Sequence, residues 1–294
     1  MKTLPTESIN PRTKKLDVSS AKQMTRLFHA EDLQAARAVS KAATAISQAI
    51  ERAASTYLSG HKIIFIGAGT SGRLGVLEAA ECVPTFGTKP SEIIGIIAGG
   101  KPAMFKAQEG AEDNRQQGKK DILKIASAGD FVIGLSASGV TPYVLGALEA
   151  AQQAGAYTAL MACNKTADVS HANLFILLAT GPEVLSGSTR LKAGTATKMA
   201  LNAITTGAMA RAGKVYQNLM VDVRPTNQKL IRRAIRLICI VSGTDEATAA
   251  ALLKASGNQV KTAIVMHVKK CSRTQAQKHL AKHRGFLRET LREK

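Results

Sequence analysis

The sequence predicts a doubly wound, mainly parallel α/β sheet of the flavodoxin-like kind, with a long N-terminal helix and a small all-helical C-terminal domain. Three observations carry that expectation. Short, continuous runs of apolar β-formers alternate with helical stretches between residues 62 and 178, as expected of a parallel sheet covered on both faces. The first run, IIFIG at 63–67, breaks into the turn AGTSG and then into a helix. Beyond residue 225 the chain reads as helix throughout.

Taken in order, residues 1–15 contain two prolines and read as an extended arm. Over 30–58, Leu33, Ala36, Val39, Ala43, Ile46, Ile50 and Ala53 recur at helical spacing, and Gly60 ends the helix. A strand at 62–66 and a helix at 71–82 follow, then a strand at 92–98 and two helical pieces within 102–127. The next strand, 130–135, leads into a helix at 142–154 with Pro142 in its first turn, where proline is favoured. Strands at 157–162 and 174–178 complete the sheet. A long helix at about 191–215 and a turn at 222–225 precede four or five short helices, with breaks near Gly243, Gly257 and Ser272. The expected domains are an arm at 1–29, an α/β domain at 30–224 and a helical domain at 225–294.

Composition narrows the function classes. The 294 residues are 45% hydrophobic but only 4% aromatic, with no Trp, so the core must be aliphatic and alanine-rich. Cys82, Cys163, Cys239 and Cys271 form no C-x-x-C pair. That predicts a reduced, cytoplasmic protein with no disulfide framework and no metal site. No apolar run is long enough for a membrane span, so no membrane partner is expected. The formal charge is +19, and residues 226–294 hold 15 Lys or Arg against four acids. This basic segment has two readings, nucleic-acid binding and a solvated face on a protein that handles anions. The spread of charge over several helices, with almost no aromatics to stack bases, favours the second.

Gly67, Gly69 and Gly72 satisfy G-x-G-x-x-G after a strand and at a helix start, as a dinucleotide site requires. Such a site also needs an acid at the end of the next strand, about 20 residues on, for the ribose hydroxyls. Here that strand ends in Gly99, Gly100 and Lys101, which removes the contact expected of an NAD site and leaves an NADP-type site open. The third strand runs into SASGVTP, with Ser136, Ser138 and Thr141 ahead of a helix. Ser71, Gly72 and these three hydroxyls form two anion cradles at strand ends. The alternative is ordinary N-capping by Ser71 and Thr141. Two such loops in one sheet favour a phosphate site at the switch point.

The loops GAGTSG and SASGVT resemble the sugar isomerase (SIS) domain, which binds phosphosugars. The stretches TESINPRT, GAGTSGRLGVLEAAECVPTFG, AQEGAEDN, GPEVLSGSTRLKAGTATKMALN and NLMVDVRPTNQKL extend the likeness to the N-acetylmuramic acid 6-phosphate etherase family, over about residues 6–231. The tail resembles the small UBA-like domain that ends such proteins. The resemblance implies a lyase that cleaves a lactyl ether by elimination and water addition, with no cofactor, working as a homodimer on a phosphosugar. By motif match, the leaving-group acid falls on Glu81 and the C2 base on Glu112. The apolar sequence neighbours of Glu81 point to burial, the environment in which a carboxylic acid keeps its proton. Glu183, Ser188, Thr189, Arg190 and Lys192 would line the sugar site, or alternatively cap a helix. The non-catalytic alternative is a phosphosugar-binding regulator, to which glucokinase regulatory proteins belong. It would need the loops but not the paired carboxylates.

Overall fold

Residues 4–293, described by this computed structural model, contain one parallel sheet of five strands: β1 (Ile63–Gly67), β2 (Ile93–Ile97), β3 (Phe131–Leu135), β4 (Tyr157–Ala162) and β5 (Leu174–Leu177). Their order is β2-β1-β3-β4-β5. The connection direction reverses between β1 and β3, which pair in register from Ile63↔Phe131 to Gly67↔Leu135. An open α/β sheet has its ligand crevice at such a reversal, outside the C-terminal strand ends. The first three residues of the expected arm, and Lys294 of the tail, lie outside the described residues.

The strands are continuous apolar runs because both sheet faces are covered. Ile64, Ile66 and Val132 pack with Tyr143, Val144 and Leu148 of α5 (Pro142–Gln153), alongside Ile122 of α4 (Arg115–Leu123). On the opposite face, Gly75 of α3 (Gly69–Phe86) lies against Phe65 and Leu135. Each fully buried Ile, Phe or Leu contributes about 1.5–3 kcal/mol relative to exposure. Glycine sets the closest approach of α4 to α5. A Cβ at Gly118 would stand 2.0 Å from the Tyr143 carbonyl oxygen, and one at Gly146 would stand 2.2 Å from that of Arg115.

The N-terminal segment differs from the expected arm and single helix. α1 (Ala21–Lys41) begins nine residues earlier than the periodicity suggests, because Ser20 and Gln23 form a reciprocal capping box. It ends at Ala42, and α2 (Ala43–Leu58) follows directly. Three short 3-10 turns replace the extended arm. Between β2 and β3, 3-10 turns at Lys101–Met104 and Ala111–Asp113 precede α4, in place of two helical pieces. α6 spans Lys192–Arg211.

The chain divides into two compact units. One is built from the chain up to Ala80 with Ser91–Thr205, the other from Glu81–Pro90 with the chain from Thr206 on. The second contains five whole helices among its described residues: α7 (Gln228–Ser242), α8 (Glu246–Ala255), α9 (Val260–Val268), α10 (Arg273–Lys282) and α11 (Leu287–Arg292). Its core gathers Val221, Ala234, Leu237, Ile238, Ile264 and Val265. Lys261 is buried there beside Asp222 at 2.8 Å, and donates to the carbonyls of Gly213 and Gly285. Burial pulls the Lys261 pKa down, against the pull of Asp222.

Candidate functional site

A cleft of about 390 Å³ opens at the β1/β3 reversal. One side is the turn after β1. Ala68, Gly69, Thr70 and Ser71 line the cleft as α3 begins. The first N–H groups of a helix have no partner four residues back, so they are free for a ligand. Gly72 makes this tight turn possible, since a Cβ there would stand 2.7 Å from both the Gly67 carbonyl oxygen and Ile97 Cγ1.

The loop after β3 supplies the hydroxyls. Ser136 Oγ lies 2.7 Å from Thr141 Oγ1 and 3.2 Å from Ser138 Oγ, and Ser138 Oγ lies 3.4 Å from Thr141 Oγ1. The Gly139 N–H donates to Ser136 Oγ at 2.9 Å, and the Val140 N–H to Ser138 Oγ at 3.3 Å. Two serine oxygens therefore accept from backbone, which leaves their hydroxyl protons to donate. Thr141 sits at the N-cap of α5 but makes no side-chain capping bond. Its hydroxyl belongs to the cluster, so capping does not explain it. Gly139 turns the loop at φ +78°, and a Cβ there would collide with Ala167.

The cleft is thus lined by hydroxyls and the N-termini of two helices. A phosphate, which only accepts, matches such a set of donors, and the helix ends favour its charge. No Lys or Arg is among the described residues lining it. Three carboxylates are: Glu7, Glu112 and Asp113. Glu112 and Asp113 stand on the 3-10 turn Ala111–Asp113, exposed. Among the described residues, no group of three or more His, Cys, Asp or Glu is placed to share a metal ion.

The other expected residues fall in different places. Glu81 is exposed, and the described lining of this cleft does not include it. Its expected burial fails for a geometric reason. A helix turns about 100° per residue, so the buried stripe of α3 that holds Glu78, Ala79 and Cys82 passes beside Glu81. Glu78 is the buried acid. It accepts from Thr205 Oγ1 at 2.5 Å and pairs with Lys198.

The 183–192 segment divides. Thr189 and its neighbour Gly187 line the cleft, while Arg190 is exposed and Ser188 half-buried. Glu183 and Lys192 are fully buried instead. Glu183 accepts from the backbone N–H groups of Lys192 and Ala193, both at 2.9 Å, and so caps α6. Burial raises the Glu183 pKa against these two bonds. Lys192 Nζ pairs with Glu31 of α1, which also receives Arg12 Nε at 2.5 Å. Burial alone would raise the Glu31 pKa, but Arg12 and Lys192 together hold it down at about 2.

The expected arm contributes Glu7 to the cleft lining. Thr6, Asn10 and Thr13 are buried, and Thr13 Oγ1 donates to the Val184 carbonyl at 2.8 Å. Its sequence of prolines and polar residues has no periodicity to betray this. The only available signal was the likeness carried by TESINPRT.

Comparison with known proteins gives a consistent set of relatives. Residues 45–152 match the family model described as the glucokinase regulatory protein N-terminal SIS domain. A protein of Exiguobacterium sp. called N-acetylmuramic acid 6-phosphate etherase is 48% identical over 98% of this chain and 99% of its own. One of the same name from Serratia proteamaculans is 47% identical over 98% of each. Among solved structures, a phosphoheptose isomerase from Neisseria gonorrhoeae aligns with a TM-score of 0.49 at 16% identity, covering 65% of this chain and 100% of that one.

Proposed function

The chain belongs to the N-acetylmuramic acid 6-phosphate etherase family, and from this we propose that it cleaves the D-lactyl ether of N-acetylmuramic acid 6-phosphate. The products are N-acetylglucosamine 6-phosphate and D-lactate. The observation that carries the reading is the near full-length identity to relatives of that name. The hydroxyl cluster at the β1/β3 reversal supplies its physical basis.

The chemistry follows from the substrate. An ether oxygen at C3 leaves poorly, but C3 is β to the aldehyde of the open-chain sugar. Loss of the C2 proton gives an enolate that expels lactate, and water then adds to the alkene. The phosphate sits among Ser71, Gly72, Ser136, Ser138 and Thr141. Glu112, in the cleft, takes the C2 proton, and Glu81 protonates the departing oxygen. Glu112 is supported by its position and its motif, Glu81 by its motif. The reaction makes the protein a carbon-oxygen lyase without a cofactor, acting in the cytoplasm to salvage cell-wall amino sugars. We also propose a homodimer.

Incubation with N-acetylmuramic acid 6-phosphate in deuterated water tests the reading. D-lactate should appear, and the sugar product should carry deuterium at C2. Glu112→Gln and Glu81→Gln should each slow lactate release by about 10²–10⁴. A phosphosugar-binding regulator would bind the substrate and release no lactate.

A further inference from the structure

We propose that Glu7 is a further catalytic residue, the carboxylate that opens the sugar ring before elimination. The proposal rests on the etherase reading, which requires the open-chain aldehyde. A hexosamine phosphate is mostly a closed pyranose, in which C1 is no carbonyl and the C2 proton is not acidic. Some group must move a proton from O1 to O5 first.

The cleft limits the candidates. No histidine is among its described lining residues, and its Ser and Thr hydroxyls are too weakly acidic to take and return a proton unaided. The proton carriers left are Glu7, Glu112 and Asp113. Among the described residues none of these three carboxylates has a hydrogen-bond or ion-pair partner, which suits proton transfer and not support of the fold. Glu112 and Asp113 share one 3-10 turn in the β2-to-β3 connection, on the β2 side of the reversal. Glu7 comes from the other side, on the segment held at the ends of β4 and β5.

That hold is specific. Asn164, two residues past β4, is fully buried. Its Oδ1 accepts from the Thr6 N–H at 3.3 Å, and its Nδ2 is 3.1 Å from Thr6 Oγ1. The same Nδ2 is 3.0 Å from the carbonyl of Ala137, which lies between the two cradle serines. One side chain thus ties the residue before Glu7 to the backbone of the phosphate loop. Asn10 Nδ2 reaches the Pro182 carbonyl at 3.4 Å, beyond β5. Glu7 itself leans over Gly187, where a Cβ would stand 2.9 Å from Glu7 Oε2. Glycine at 187 leaves the carboxylate its place. A phosphate held in the cradle therefore presents its sugar between Glu112 on one side and Glu7 on the other.

The step balances with one group. Glu7 takes the proton of the O1 hydroxyl as the C1–O5 bond breaks and C1=O1 forms. It then returns that proton to O5, which becomes the C5 hydroxyl. The carboxylate is regenerated, and no other reactant is consumed.

Exchange between the α and β anomers of N-acetylglucosamine 6-phosphate, followed by NMR with the full-length protein, reads ring opening separately from elimination. The wild type should accelerate the exchange. Glu7→Gln should lose at least ten-fold of that acceleration while still binding the sugar phosphate. Asp113→Asn, at a position given no part in the elimination, should keep it. Wild-type acceleration surviving in Glu7→Gln overturns the proposal, as does a wild type that releases lactate without accelerating the exchange. Absence of lactate release by the wild type would instead overturn the etherase reading.

Discussion

Glu31 and Lys192 are the residues whose charge has most at stake. Both are almost completely withdrawn from water, on α1 and at the start of α6. Removing one partner of a buried pair strands the other, which typically costs about 3–5 kcal/mol. The Glu31 pKa is lowered from 4.5 to about 2, so its ionised form contributes stability above the unfolded value. That contribution is lost as pH falls through the folded one. The shift corresponds to roughly 3 kcal/mol. Thermal unfolding of wild type and Glu31→Gln should therefore differ at pH 7 and converge between pH 4.5 and 2. A gap that stays constant over that range would show that Glu31 is not held ionised. The network also bears on function, because Lys192 and Glu183 fix the start of α6 directly after Thr189.

At the scale of elements, the site depends on where helices begin. α3 and α5 start at the cleft, where the first N–H groups of a helix have no intrahelical partner, whereas the start of α6 is already occupied by Glu183. Two helix ends are available to an anion, and the third serves the fold. The helix that brings Thr141 into place is itself seated by the glycine contact between α4 and α5. Gly118→Ala would drive a methyl group into the Tyr143 carbonyl oxygen, 2.0 Å away. Backbone cannot yield there as a side chain would. Overpacking of this kind costs typically 1–3 kcal/mol, and chemical denaturation should show a lower midpoint for this variant. An unchanged midpoint would mean that α4 slides without cost.

Over the whole molecule, the charge of +19 is not explained by the cleft, which has no cationic side chain among its described lining residues. Among the described residues no helix is long and apolar enough to cross a membrane. The proposed homodimer belongs to this scale. Light scattering should give twice the chain mass of 31.0 kDa, and a single-chain mass at working concentration would count against it.

The alternation of strands and helices, the glycine and hydroxyl loops after the first and third strands, and most helix ends in the tail were legible along the chain. These are local properties. Ser272 and Asp245 cap the helices that follow them, and Gly243 ends α7 in a left-handed conformation, each through bonds within a few residues. The hydroxyls of Ser136, Ser138 and Thr141 were legible for the same reason, being within five residues of one another. Which of the helical acids is buried, and that Glu7 faces the cleft, follow from tertiary packing alone. Glu78 and Glu81 differ by less than a turn, yet Lys198 and Thr205 claim one and leave the other exposed. Glu7 reaches the cleft through Asn164, 158 residues from Thr6 in the chain. Such pairings depend on how the strands order in space, which no spacing along the chain encodes.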